Sequence, residues 1–237
     1  MTEKVLNDIK LNYETIVSRI AEAAISSGRK PEDITFLAAT KTVDPEIINY
    51  AISQGLKFIG ENKVQELLYK YDSYDLKNST LHFIGHLQTN KVRQIVGKVA
   101  MIQSVDSVKL ANEISKQSIK HGIVTDILIE VNIGDEESKS GVKPENLEEL
   151  LREINKFEGI SVKGLMSIPP ICENKQKIRG YFQNMRNLFI DISGKKIDNI
   201  RMDILSMGMS GDYYEAILEG ANLVRIGSSL FGARNYN

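Results

Sequence analysis

The chain has 237 residues, in which 30 Lys and Arg stand against 31 Asp and Glu for a formal net charge of −1. That balance leaves no global field to draw in nucleic acid or an anionic membrane surface, and the length suits one α/β barrel of about 250 residues. Cys172 is the only cysteine, which excludes an internal disulfide and a cysteine-cluster metal site and suits a reducing compartment.

The opening Met-Thr-Glu-Lys-Val-Leu-Asn-Asp carries acids where a signal peptide would carry an apolar core, and no apolar stretch approaches the ~18 residues of a membrane span. A cytoplasmic protein without a membrane segment is expected. Val5, Ile9, Tyr13, Ile16, Ile20 and Ala24 recur at helical spacing up to Ser27-Gly28, so residues 5–27 are predicted to form a helix with a glycine stop. After it, short apolar runs at 34–40, 57–60, 81–85, 99–104, 125–132, 161–166, 200–205 and 222–226 alternate with amphipathic stretches. Asp44-Pro45-Glu46 and Pro144-Glu145-Asn146 are helix starts. Strict alternation implies parallel strands, and about eight repeats imply a (β/α)8 TIM barrel with an extra N-terminal helix, an open doubly wound sheet being the alternative. No Gly/Ser linker divides the chain, so residues 1–237 are expected to form one domain, and nothing marks a dimer surface, so a monomer is expected.

In such barrels the chemistry sits on loops following the strand C-termini. There the sequence places Lys41 after strand one, Gly60-Glu61-Asn62 after two, His82 and Gly85-His86 in and after three, and Ser104 and Asp106 after four. Strand five leads into the polar loop 134–143, which contains Ser138-Lys139-Ser140-Gly141; a mobile cover and a plain solvated loop are both open for it. Lys41 closes the apolar run Ile-Thr-Phe-Leu-Ala-Ala-Thr. An amine desolvated at a barrel mouth is a Schiff-base nucleophile, whereas a lysine that snorkels outward does no chemistry.

Two further loops suit a phosphate. Ser206-Met207-Gly208-Met209-Ser210-Gly211-Asp212 leads into the helical pattern Tyr213 to Leu218, and Gly227-Ser228-Ser229 follows the last strand. Backbone N–H groups at such helix starts attract anions, and barrels often hold phosphate between the loops after strands seven and eight. Tight turns and helix caps are the plainer use of the same residues. An amine and an anion cradle across one mouth are the two anchors of pyridoxal 5′-phosphate, and a sugar phosphate in a cofactor-free aldolase would satisfy them equally.

The strings LAATKTVDP (37–45), FIGENKVQE (58–66), LHFIGHLQTNK (81–91), VNIGDEESKSGV (131–142), GLMSIPP (164–170), LSMGMSGDY (205–213) and VRIGSSLFGAR (224–234) occur in this order. Together they resemble the pyridoxal phosphate homeostasis proteins, single-domain relatives of the alanine racemase barrel. The resemblance implies that Lys41 holds pyridoxal phosphate covalently, that Asn62 lies beside it, and that Ser206, Gly208, Ser210, Gly227 and Ser228 belong to the phosphate loops. Met207 and Met209 in the same turn are placed as ring contacts, with gap-filling packing as the plainer alternative. Arg225 would stand near the pyridine nitrogen, where a guanidinium donates but does not accept a proton and leaves the ring a weak electron sink. The pattern is broken at Lys63, where an aromatic is common, at His86, where a proline is usual, and at Gln103, where histidine often precedes Ser-Val-Asp.

The resemblance further implies a protein that buffers or delivers pyridoxal phosphate and maintains vitamin B6 and amino-acid balance without strong turnover. Apoenzymes that require the cofactor are the candidate recipients. Alanine racemase needs a second domain with a catalytic tyrosine, and here the chain ends shortly after Arg234, so a racemase is the runner-up. His82 and Tyr213 are the scattered candidates for its second proton carrier, each more simply a packed residue, and His121 reads as a helix C-terminal residue. The remaining alternatives are a Schiff-base aldolase and an interaction module on a relict barrel.

Overall fold

An apolar stripe makes the first element. In α1 (Glu3–Ser26), Ile9, Ile16, Ile20, Ala23 and Ala24 fall on one face and are buried, while Leu11 and Ile25 stay exposed on the other. The computed structural model describes residues 2–134, 136, 140–170 and 172–232. From Thr35 onward strands alternate with helices: β1 (Thr35–Ala39), α2 (Pro45–Ser53), β2 (Phe58–Glu61), α3 (Val64–Lys70), β3 (Thr80–Phe83), α4 (Val92–Ile95), β4 (Met101–Val105), α5 (Val108–Lys120) and β5 (Thr125–Glu130). The second half continues with α6 (Leu147–Ile154), β6 (Ile160–Met166), α7 (Lys175–Gly194), β7 (Ile200–Ser206), α8 (Tyr213–Leu218), β8 (Leu223–Ile226) and α9 (Ser228–Phe231).

Each strand pairs in parallel with its neighbour in sequence, and β8 closes on β1 with Leu37 opposite Arg225, giving a closed eight-stranded barrel. The open-sheet alternative is thereby excluded. The strands lie within two residues of the apolar runs that predict them. At β5 the strand stops at Glu130, two residues before its apolar run ends, because Val131 instead bridges Val142 across the base of the following loop.

Side-chain alternation separates two cores. Inside the barrel, Leu37, Ile84 and Leu223 pack with Ala39, Phe58 and Ile204, and beside them Met101, Leu128 and Met166 pack with Ile168 and Ile204. The next residues along the same strands, such as Ala38, Ile59, Phe83, Ile102 and Val224, join the larger core under the helices. This parity decides which strand-end residue faces the mouth.

Helix α1 lies against α8 and α9, the helices that follow the last two strands. Asn12 donates from Nδ2 to the Leu230 carbonyl at 3.1 Å, Tyr214 donates to Glu22 at 3.1 Å, and the Arg19 guanidinium sits 5.8 Å from the ring centroids of both Tyr213 and Tyr214. Beyond α1, Arg29 donates to the carbonyls of Ala221, at 2.8 Å, and Ile217. The loops after β7 and β8 are thus braced from outside.

The outer core is packed to its largest residues, with Phe182 on α7 fully enclosed. Phe182→Ala is expected to lower the unfolding free energy by about 3–5 kcal/mol in urea titration, with the circular dichroism of the folded state unchanged.

Candidate functional site

At the end of β1 the alternation turns Thr40 toward the helices and Lys41 toward the mouth, since Leu37 and Ala39 line the barrel interior and Ala38 does not. Lys41 is half-buried. Behind it stands a buried ionic cluster. Glu61 is fully enclosed, and its Oε1 accepts from Thr40 Oγ1 at 2.8 Å, Tyr74 Oη at 2.6 Å and Lys70 Nζ at 3.1 Å. Lys70 also donates to Glu66 at 2.6 Å and to the Thr40 carbonyl at 3.0 Å, and Glu66 accepts from the backbone N–H of Thr42. Burial, and then the charge of Glu61, raise the Tyr74 hydroxyl above its ordinary pKa and keep it a donor. Thr42 has φ +64, a left-handed conformation that costs a β-branched residue on the order of 1 kcal/mol or more.

Asn62 follows β2 on the same inner-facing parity as Phe58 and Gly60, beside Lys41 on the neighbouring strand. Its Oδ1 is buried without a hydrogen-bond partner among the described residues, as are Ser167 Oγ, Ser104 Oγ and the second carboxylate oxygen of Glu61. Gly85 lets this corner close: a Cβ there would lie 2.1 Å from the Asn62 carbonyl oxygen.

A polar chain crosses the barrel interior under the mouth. Arg225, almost fully buried on β8, donates to Ser206 Oγ and, at 2.8 Å, to the Ser167 carbonyl. Ser206 donates to Gln103 Oε1 at 2.7 Å, and Gln103 Nε2 lies 3.0 Å from His82 Nδ1. An amide nitrogen only donates, so His82 Nδ1 accepts, and burial pushes that imidazole down to about 4, leaving it neutral. Burial also pushes Arg225 down to about 10, with the charges of Glu130 and Asp212 opposing the shift. The guanidinium therefore remains charged at neutral pH.

The loops after β7 and β8 come together as expected. Ser210 Oγ accepts from the N–H groups of Gly227 at 3.2 Å and Ser229 at 3.3 Å, and Ser229 Oγ donates to the Ser210 carbonyl. Asp212 accepts from the Met209 N–H at 2.6 Å, and burial raises its carboxyl above the ordinary range. Gly208, at φ +94, is required because a Cβ would stand 2.6 Å from that of Ala216 on α8. Ser228 is exposed at the start of α9. Two residues fall elsewhere. The Ser206 hydroxyl belongs to the Arg225 chain rather than to the turn, and the Met207 side chain, fully buried, packs in the outer core because it has the opposite parity.

Glu130 belongs to no motif and is not among the residues expected at the rim. Leu128 lines the barrel interior, so Glu130 at the end of β5 faces inward, across the barrel from β1. Burial, and then the Asp106 charge, push its carboxyl up to about 7, against the opposing charge of Arg225. The loop after β5 is pinned at its base, where Val142 donates to the Glu130 carbonyl at 2.8 Å and Asn132 to Val142 at 2.9 Å. Ser138 and Lys139 lie outside the described residues. Tyr213 is buried in the outer core, and His121 caps the end of α5.

The family pattern described as alanine racemase, N-terminal domain, matches residues 36–235. A relative from Aquifex aeolicus (strain VF5), named pyridoxal phosphate homeostasis protein, is 47% identical over 93% of this chain and 96% of its own. The chain belongs to the pyridoxal phosphate homeostasis protein family. Among solved structures, an unknown protein from Bifidobacterium adolescentis superposes with a TM-score of 0.91 at 33% identity, covering 98% of this chain and 97% of that one. PipY of Synechococcus elongatus PCC7942, solved with pyridoxal phosphate bound, superposes with a TM-score of 0.78 at 29% identity, covering 90% of this chain and all of that one, 100%.

Within this member of the pyridoxal phosphate homeostasis family, the three departures have visible places. Gln103 is the middle link of the interior chain, His86 Nδ1 meets Ser140 Oγ at 3.2 Å and ties the rim after β3 to the loop after β5, and Lys63 is an exposed residue preceding α3. The cluster behind Lys41 left one sequence trace, since Lys70 stands three residues beyond Leu67 on the buried stripe of α3, where a cation needs a partner.

Glu130 makes stability depend on pH. Burial makes the folded state favour the protonated carboxyl, so its contribution is complete below the ordinary carboxylate range and is lost as pH climbs through about 7. Relative to Glu130→Gln, the unaltered protein is expected to lose about 2 kcal/mol between about pH 5 and pH 8, read from urea unfolding at each pH.

Proposed function

We propose that this protein binds pyridoxal phosphate at the C-terminal mouth of its barrel, anchors it through Lys41, and buffers or delivers it without vigorous turnover of amino acids. The observation that carries this reading is the sharing of one mouth by an inward-facing lysine, a buried arginine and a glycine–serine double loop. The names of the relatives and the cofactor in PipY agree with it. The residues fit such a guest. Asn62 Oδ1 is a buried acceptor on the mouth-facing side with no hydrogen-bond partner among the described residues, and the N–H groups of Gly227 and Ser229 converge on a single oxygen, that of Ser210.

When bound, the cofactor supplies an aldehyde whose oxygen leaves as water when a lysine amine takes its place, and a conjugated ring able to withdraw electrons. Lys41 is the amine. Gly208, Ser210, Gly227 and Ser228 would hold the phosphate on backbone N–H and hydroxyl groups, and Asn62 would hold the ring edge beside the lysine. Arg225 brings a fixed positive donor under the mouth, and the Ser206–Gln103 chain limits its reorientation. A guanidinium that stays protonated donates a hydrogen bond to a ring nitrogen without giving up the proton, so the site favours holding the cofactor over stabilising a carbanion. His82, neutral and tied to Gln103, is not a ready proton carrier.

The purified protein is expected to gain an absorption band near the visible edge when pyridoxal phosphate is added, to lose it on borohydride treatment, and never to gain it as Lys41→Ala. Incubated with the common amino acids, the loaded protein is expected to show no racemisation or decarboxylation at ordinary enzyme rates, on the order of 1 per second or more. Turnover at such rates, lost in Lys41→Ala and in Glu130→Gln, would establish a racemase or related enzyme instead.

A further inference from the structure

The ionic cluster behind β1 touches the chain on both sides of Lys41 while standing on the opposite face of the sheet. Lys70 donates to the carbonyl of Thr40, Glu61 accepts from the Thr40 hydroxyl, and Glu66 accepts from the N–H of Thr42. Lys70 in turn bridges Glu61 and Glu66, so the three contacts form one unit anchored on β2 and α3. Between the clamped groups lies the single residue Lys41, followed immediately by the left-handed Thr42, whose hydroxyl donates back to the Lys41 carbonyl at 2.6 Å. A strained conformation at a β-branched residue persists only where its surroundings impose it. Here the Thr42 N–H is held by the Glu66 carboxylate inside a turn that Val43 N–H closes onto the Thr40 carbonyl at 3.1 Å.

We infer that Glu61, Lys70 and Glu66 are positioning residues that lock the backbone around Lys41 so that its amine is presented to the mouth in one orientation. This rests on Lys41 being the cofactor anchor. The cluster does not reach the cofactor site; its effect passes through the Thr40 and Thr42 backbone groups. Its chemistry suits the task. Charge-assisted hydrogen bonds to backbone groups are stronger than neutral ones, and a lysine caught between two carboxylates keeps both from rotating away. The two halves act differently: Glu61, held by Tyr74, fixes the strand-end side at Thr40, and Glu66 fixes the turn at Thr42.

The test compares Glu66→Met, which keeps side-chain bulk but removes the acceptor, with Glu66→Gln, which retains an acceptor for the Thr42 N–H. Two readouts are needed: the rate at which the visible-edge band develops on adding pyridoxal phosphate, and hydrogen exchange of the Thr42 amide without cofactor. Glu66→Met is expected to slow band formation about tenfold or more, because a small misplacement of a reacting group carries such penalties, and to speed Thr42 exchange by about tenfold or more. Glu66→Gln should stay within about threefold of the unaltered protein on both, and Thr42→Gly placed in the Glu66→Met background should recover band formation, since glycine adopts the left-handed turn without help. A stabilising role alone would not produce that recovery. If Glu66→Met does not fold, Glu66→Asp, one methylene shorter, is read the same way. Equal band rates and equal Thr42 protection in the folded variant would overturn the inference. A failure of the unaltered protein to gain any band would instead overturn the cofactor reading, with Thr42 exchange still reporting on the clamp.

Discussion

The alternation of side chains along a strand governs this site. At the end of β1 it sends Thr40 into the helix layer and Lys41 into the barrel, and at β2 it sends Glu61 backward and Asn62 forward. Two adjacent strands ending in this phase place an ionic cluster behind the sheet and an amine–amide pair in front of it. A one-residue slip of β2 would turn the Glu61 carboxylate into the mouth, and one of β1 would turn Lys41 toward the helices. The parallel register with Ala39 opposite Gly60 therefore determines the chemistry before any side-chain contact is considered.

Electrostatics within the barrel follows from how few charges enter it. Arg225 is held by Ser206 and the Ser167 carbonyl, and each donor in the sequence Arg225, Ser206, Gln103 points onward to an acceptor that ends at neutral His82. Such a chain has a direction. It leaves Arg225 as the only ionised member and keeps the Ser206 lone pairs turned toward it, which is why the hydroxyl is unavailable to the turn that follows. Gln103 serves this arrangement because an amide presents a donor and an acceptor at once, whereas a neutral imidazole at the same position would have to match its tautomer to both neighbours.

The barrel, its N-terminal helix and the rim were legible because period-2 and period-3.6 apolar patterns alternate so regularly between Thr35 and Ile226. That Lys41, Asn62, Ser210 and Gly227 lie on one rim was legible because strand ends mark it and because the ordered strings resemble a family. What was not legible depends on parity within one residue or on contacts distant in sequence. Met207 reads as part of a glycine–serine turn, yet its side chain faces the helices. Glu130 carries no motif, and only closure of the barrel sets it among Asp106 and Arg225. The Glu61–Lys70–Tyr74 cluster joins a strand to the helix and turn after it, and in the sequence the Glu66–Lys70 pair alone looks like ordinary helix-surface spacing.

The two ends of the site are braced by different physics. The loops after β7 and β8 lean on α8 and α9, which α1 holds from outside through apolar burial, Asn12 and the Arg19–tyrosine contacts, so their geometry depends on packing. The lysine end leans on a charge cluster whose Glu61–Lys70 pair is enclosed, where screening by salt is weak but removal of a single charge leaves its partner uncompensated, and whose Glu66 arm reaches the exposed Thr42. A protein that holds a reactive aldehyde for release gains from this division. On the proposed reading, neutral N–H and hydroxyl groups would grip the phosphate and give way without leaving a buried charge exposed, while charges that never enter the mouth would return the amine to the same orientation each time.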